Sequence, residues 1–122
     1  MTVLELAPSR GKEAGQQQAE ESERVLKMLE KMEGEVWLLD ERGKAMTSPE
    51  FAAEMGRAKD MGRELVFVLG GAYGFTEGVR NKIAKKLRLS DMVLPHELCR
   101  VVFLEQVYRA GEIGRGSGYH HG

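Results

Sequence analysis

Polar and apolar positions alternate on two different periods along this chain. Val36-Trp37-Leu38-Leu39 and Leu65-Val66-Phe67-Val68-Leu69 are continuous apolar runs, ended by Asp40, which opens an expected charged loop Asp40–Lys44, and by Gly70. Such runs predict strands covered on both faces, the habit of a parallel sheet. Thr2 to Leu6 predicts a further strand, closed by Ala7-Pro8-Ser9. Met92 to Leu94 predicts a short buried one that ends at Pro95, which has no N–H to give a ladder. Between these runs the apolar residues fall at helical spacing. Val25, Met28, Leu29 and Met32 predict a helix over Gln16–Met32, stopped by Gly34. Thr47-Ser48-Pro49-Glu50 predicts a helix start, with Thr47 and Glu50 as a capping box or Ser48 as N-cap before Pro49, and Phe51, Met55 and Ala58 its inner face. Gly62 ends it. Thr76 can cap a helix whose apolar positions Val79, Ile83 and Leu87 lie four apart. Pro95 suits the first turn of the last helix. That helix is apolar at Leu98, Val101, Val102, Phe103, Leu104, Val107 and Tyr108. The set is wider than one stripe and predicts burial on more than one side, as a core helix, a dimer helix or both.

The order strand, helix, strand, helix, strand, helix, short strand, helix predicts a three-layer α/β domain with a mostly parallel sheet. The 122 residues suffice for one such domain. Ligands in these sheets sit beyond the C-terminal ends of strands. Here those ends are Leu39-Asp40, Leu69-Gly70-Gly71 and Leu94-Pro95.

Composition narrows the classes. A net charge of −1 gives no global field toward nucleic acid, so any RNA contact must come from a local patch. The single cysteine, Cys99, excludes an intramolecular disulfide and fits a reducing compartment. No apolar run approaches the ~20 residues of a membrane span, and the first residues lack the pattern of a signal peptide. The expected location is the cytoplasm.

Several motifs carry candidate chemistry. Gly70-Gly71-Ala72-Tyr73-Gly74 can bring backbone N–H groups against a ligand, or can be a tight strand-to-helix turn. It is neither a dinucleotide fingerprint nor a P-loop. Arg80, Lys82, Lys85, Lys86 and Arg88 can grip phosphates, or can be a solvated helix face. Glu105 and Arg109 can be site residues or an i,i+4 ion pair. His96, Cys99, His120 and His121 match no zinc spacing, so no metal is expected. His96 reads as a helix-start residue with its ring bonded locally. Gly111 to Gly122 holds five glycines and reads as a flexible tail.

Three segments together resemble one family. Leu65 to Gly74, then Leu89 to Ala110 (Leu-Ser-Asp-Met-Val-Leu-Pro-His-Glu-Leu-Cys-Arg-Val-Val-Phe-Leu-Glu-Gln-Val-Tyr-Arg-Ala), then Gly118-Tyr119-His120-His121, resemble the bacterial ribosomal RNA large-subunit methyltransferase H family. That family belongs to the SPOUT class, and the resemblance runs from about Thr2 to His121. It implies a C-terminal trefoil knot, here over about 65–115, followed by a catalytic tail. It implies a homodimer that uses S-adenosylmethionine to methylate N3 of a pseudouridine in large-subunit (23S) rRNA of the assembled ribosome, with neither DNA nor membrane as partner. Matched residue by residue, the cofactor positions it implies are Leu39, Gly70, Gly71 and the run Leu89, Ser90, Asp91, Met92, Val93, Leu94. Arg109, Tyr119 and His120 match the residues of substrate binding and catalysis. On that reading Arg109 favours negative charge on the uracil ring. Tyr119 stacks on the base or bonds to it. His120 accepts the N3 proton or orients the base.

The sequence departs from the family at two places. Family members usually open with another strand and helix before the segment equivalent to Thr2–Leu6. Their tails usually carry proline and a basic residue where this chain has Gly118 and His121. The alternative reading is therefore a minimal or truncated knotted homodimer that binds S-adenosylmethionine with little or no methyltransferase activity.

Overall fold

The computed structural model describes residues 1–5, 13–70 and 75–121. Its elements are β1 (Thr2–Glu5), α1 (Ala14–Leu29), β2 (Glu35–Ala45), α2 (Ser48–Asp60), β3 (Leu65–Leu69), α3 (Glu77–Lys82), β4 (Lys85–Arg88) and α4 (His96–Gly114). The four strands form one sheet in the order β1-β3-β2-β4. Every pairing is parallel, with Val3 opposite Phe67 and Trp37 opposite both Phe67 and Lys85. The expected α/β architecture is present.

Side chains alternate across each strand, so one apolar run feeds two cores. Leu38, Val66 and Val68 pack with Val25 of α1, Val79 of α3, Phe75 and Ile83. Trp37, Leu65, Phe67 and Leu69 pack with Phe51 and Ala58 of α2 and with Phe103 and Ala110 of α4. Phe103 locks the last helix to the sheet, its ring centroid 4.9 Å from that of Phe67. Thr47 caps α2: its hydroxyl accepts from the Glu50 N–H, while the Glu50 carboxylate accepts from the Thr47 N–H at 2.9 Å. Gly34, at φ +117°, turns the chain between α1 and β2. A Cβ there would lie 2.6 Å from the Glu64 carbonyl oxygen, so the turn requires glycine.

Four expectations are corrected. The charged stretch Asp40–Lys44 continues β2 to Ala45 instead of forming a loop. Its pairing with β4 breaks after Leu39 and resumes at Lys44, both opposite Leu87. The intervening residues bulge, and Gly43 lies where a Cβ would meet the β4 backbone at 2.8 Å. The helix after Thr76 stops at Lys82, and Lys85–Arg88 is the edge strand. That strand is hard to read because Leu87 is its one buried residue. Met92–Leu94 is no strand; Met92 and Val93 are 79% and 82% exposed beside a sheet edge that β4 already occupies. Finally, α4 runs to Gly114, so the first residues of the expected tail are helical. Pro95 is its N-cap, and its carbonyl accepts from the Cys99 N–H at 2.9 Å.

Candidate functional site

The strand ends enclose a cavity of about 370 Å³. Leu39 and Asp40 line it from β2, Leu69 and Gly70 from the end of β3, and Leu87 and Arg88 from β4. The connection to α4 adds Leu89, Ser90, Met92, Val93 and Leu94, and α4 itself adds His96 and Cys99. Of the positions matched from the sequence, Leu39, Gly70, Leu89, Ser90, Met92, Val93 and Leu94 therefore meet around one space. Asp91 does not line it; its exposed carboxylate pairs with Arg88 at 2.9 Å. Gly71 and the rest of the glycine stretch to Gly74 lie outside the described residues.

Local chemistry holds the walls in place. A Cβ on Gly70 would sit inside the buried ring of Phe75, so the β3 end approaches that ring as only glycine allows. The Phe75 carbonyl accepts from the Gln18 side-chain amide at 3.2 Å, and the Thr76 N–H donates to the Ser22 hydroxyl at 2.9 Å. Helix α1 thus pins the start of α3. Asp40, whose side chain is 1% exposed, accepts from Arg80 Nε at 2.5 Å and from the Arg42 N–H at 3.1 Å. Burial works to lower the Arg80 pKa, but the Asp40 carboxylate outweighs it and the guanidinium is held charged. At the other end of β4, Lys85 bonds to Glu35, which Arg57 also meets at 2.9 Å. Lys86 donates to the carbonyls of Arg80 and Ile83. Arg80, Lys85 and Lys86 thus tie strands and helix together and are not a solvated helix face, and the segment is half strand. His96 begins α4 as expected, but its ring meets Glu5 of β1 at 3.5 Å, not a local partner. Cys99 also faces the cavity, with burial pushing its thiol pKa up.

The other matched residues gather elsewhere on α4. The helix end turns the chain back: the Gly116 and Ser117 N–H groups donate to the carbonyls of Ile113 and Glu112, with Gly116 at φ +69°. Tyr119 then lies edge-on to Tyr108, ring centroids 5.0 Å apart, with the Arg109 guanidinium 4.8 Å from its own ring. Glu105 Oε1 accepts from Arg109 Nη2 at 2.7 Å and from the Tyr119 hydroxyl at 3.1 Å. Arg109 Nη1 lies 3.1 Å from His120 Nδ1. The Arg109 hydrogen bond holds the Glu105 pKa below the ordinary carboxylate value, and the Glu105 carboxylate pushes the Tyr119 pKa up. None of these residues lines the cavity. Between the two groups runs an exposed apolar stripe: Leu98, Val101, Leu104 and Tyr108, with Val101 61% exposed.

A family model described as "Predicted SPOUT methyltransferase" matches residues 1–120. The chain belongs to the SPOUT methyltransferases. Among curated relatives, the ribosomal RNA large subunit methyltransferase H of Geobacter sp. (strain M21) is 44% identical over 99% of this chain and 79% of its own length. The protein of the same name from Bacteroides thetaiotaomicron is 42% identical over 98% of this chain and 76% of its own. The SPOUT chain described here thus spans roughly four fifths of such relatives.

Sequence reading missed several contributors to this SPOUT site. Asp40 lines the cavity at a position already named as a strand end, but Arg88, His96 and Cys99 line it without any motif that assigned them there. Glu105 was open to either reading, site residue or half of an ion pair, and nothing announced its bond to Tyr119 across 14 residues. Among the described residues no group of three metal-ligating side chains occurs, and no helix is long and apolar enough to cross a membrane.

Proposed function

We propose that this SPOUT enzyme methylates N3 of a pseudouridine in large-subunit (23S) rRNA within the assembled ribosome, in the cytoplasm, with S-adenosylmethionine as cofactor. The observation that carries the reading is the cavity at the strand ends, where the matched cofactor run closes around one space. Its volume lies in the range of small-molecule sites, and its leucines supply apolar walls for a flat ring system with a few polar groups beside them. The lining therefore fits the cofactor, with Leu39, Gly70, Leu89, Ser90, Met92, Val93 and Leu94 to hold it. Bound there, the cofactor supplies an electrophilic methyl group on a sulfonium. Relatives more than 40% identical to this chain over the aligned stretch carry the name ribosomal RNA large subunit methyltransferase H. The knot belongs to the same proposal: the chain after β4 and the end of β3 line one space.

The chain's own residues divide the work. Arg109 favours the charge that develops as N3 loses its proton. Tyr119 offers a ring face and a hydroxyl to the base. His120 accepts the proton or orients the ring. Within one chain these groups stand too far from the cavity. His96 and Arg109 are separated by about 20 Å along α4 at the usual helical rise. A homodimer solves this. If two copies of α4 pair antiparallel through Leu98, Val101, Leu104 and Tyr108, the two-fold axis sets one copy's Arg109 level with the other's His96. Each cavity is then completed by the tail of the second copy.

The test is calorimetric titration with S-adenosylmethionine, mass measurement in the same buffer, and radiolabelled methyl transfer to ribosomes lacking the modification. The expected result is a dimer with micromolar affinity that places one methyl on the pseudouridine. A dimer that binds the cofactor but transfers nothing would favour the scaffold reading, and absence of binding would overturn the assignment.

A further inference from the structure

The least expected feature of the tail cluster is that its donors converge on one carboxylate. Glu105 Oε1 receives Arg109 Nε at 3.0 Å, Arg109 Nη2 at 2.7 Å and the Tyr119 hydroxyl at 3.1 Å. Arg109 has only donors, so its third contact dictates the partner's state. Nη1 stands 3.1 Å from His120 Nδ1. That nitrogen must accept, and a neutral imidazole that accepts at Nδ1 carries its proton on Nε2.

We propose that Glu105 is a positioning residue of the methylation site: it holds Arg109 and Tyr119 together and, through Arg109, fixes His120 as the tautomer that accepts at Nδ1 and donates from Nε2. This rests on the rRNA methyltransferase reading, and it decides between the two roles open to His120. A ring locked in this tautomer meets the base as a donor to a ring carbonyl oxygen. It has no lone pair on Nε2 with which to take the N3 proton, so as the methyl passes from the sulfonium to N3 that proton is given up to solvent water. The arrangement also explains why a carboxylate sits among groups meant for an anionic ring. Its charge is spent on Arg109 within the helix, and it turns the guanidinium edge that carries Nη1 toward the tail. The adjacent ring of Tyr108 limits where Tyr119 can go.

The experiment compares the full chain with Glu105→Gln and Glu105→Asp. Histidine 15N–1H correlation spectra at neutral pH, assigned with His120→Asn, report the tautomer directly. The wild type is expected to show His120 protonated on Nε2, and E105Q a mixture of tautomers. Methylation of ribosomes by E105Q is expected to fall roughly 10- to 100-fold in kcat. KM for ribosomes, cofactor affinity and dimer mass should change less than about twofold, since the cavity lies elsewhere. E105D should recover part of the rate. A wild-type His120 protonated on Nδ1, or an E105Q enzyme with undiminished kcat, would overturn the proposal. A wild type inactive on ribosomes would remove the methylation reading instead, while the spectra would still decide whether Glu105 sets the tautomer.

Discussion

At the strand ends the cavity is walled by leucines, a glycine and backbone, all held by the sheet and by buried pairs such as Asp40–Arg80. Near the other end of α4, the tail cluster is made of charged and aromatic side chains on an open helix face, held by one another. The first region is shaped by the fold of a single chain and needs nothing further to exist. The second is oriented by exposed ion pairs, which are individually weak and screened by salt. Among the described residues, none of its members lines the cavity. On the function proposed above, the contrast makes cofactor binding and turnover separable: the one would follow from folding, the other from assembly.

The sharpest way to break the comparison is to remove assembly. Val101→Asp places a charge in the exposed apolar stripe while leaving the buried Phe103 face alone. Light scattering should show a monomer, and ribosome methylation should vanish, while calorimetry still finds cofactor bound. A monomer that remains active would show that a single chain completes its own site. Next in size, Arg109→Ala should lower turnover by about 10²–10³-fold, as for loss of a donor aimed at developing charge. Cofactor affinity should stay within about twofold; equal losses in both would merge the two regions. On the cavity side, Gly70→Ala forces a methyl against the Phe75 ring. Overpacking of this kind costs about 1–3 kcal/mol. The variant should melt at lower temperature and bind cofactor roughly tenfold more weakly, with its dimer mass intact.

The smallest effect concerns acid. Lys85 and Arg57 outweigh the burial of Glu35 and hold its pKa below the ordinary 4.5. A carboxylate lowered on folding stabilises the native state above that ordinary value, and the contribution is lost as pH falls through the folded pKa. Glu35→Gln removes the titration. Between about pH 5 and pH 3 its melting temperature should therefore fall less steeply than the wild type's. Parallel slopes would mean that the pair contributes nothing to acid sensitivity.

Much of this architecture was legible in the chain itself. Val36–Leu39 and Leu65–Leu69 read as doubly covered strands, and a cap at Thr47 or Ser48 was readable, because burial and capping are local constraints on side-chain type. The edge strand Lys85–Arg88 was not legible. Its stability comes from backbone pairing to β2 and from charge partners more than 20 residues away, such as Glu35 for Lys85, and neither leaves a hydrophobic period. The β2 extension past Asp40 was hidden for the same reason. The run Leu89–Leu94 was found by resemblance while its expected strand was wrong; it lines the cavity as an irregular segment because β4 already fills the edge of the sheet.

By itself, then, the sequence determined the parallel α/β core, helix starts such as that at Thr76, and two of the segments that meet at the cavity, Leu39-Asp40 and Leu69-Gly70. Those features depend on burial and backbone conformation, which residue type encodes over a few neighbours. Tertiary structure alone decided that Arg80 is spent on Asp40, that Glu105 gathers Arg109 and Tyr119, and that the tail cluster stands apart from the cavity. A polar side chain takes whichever partner the fold brings within about 3 Å, and that partner is set by where distant segments pass in space, not by their spacing along the chain.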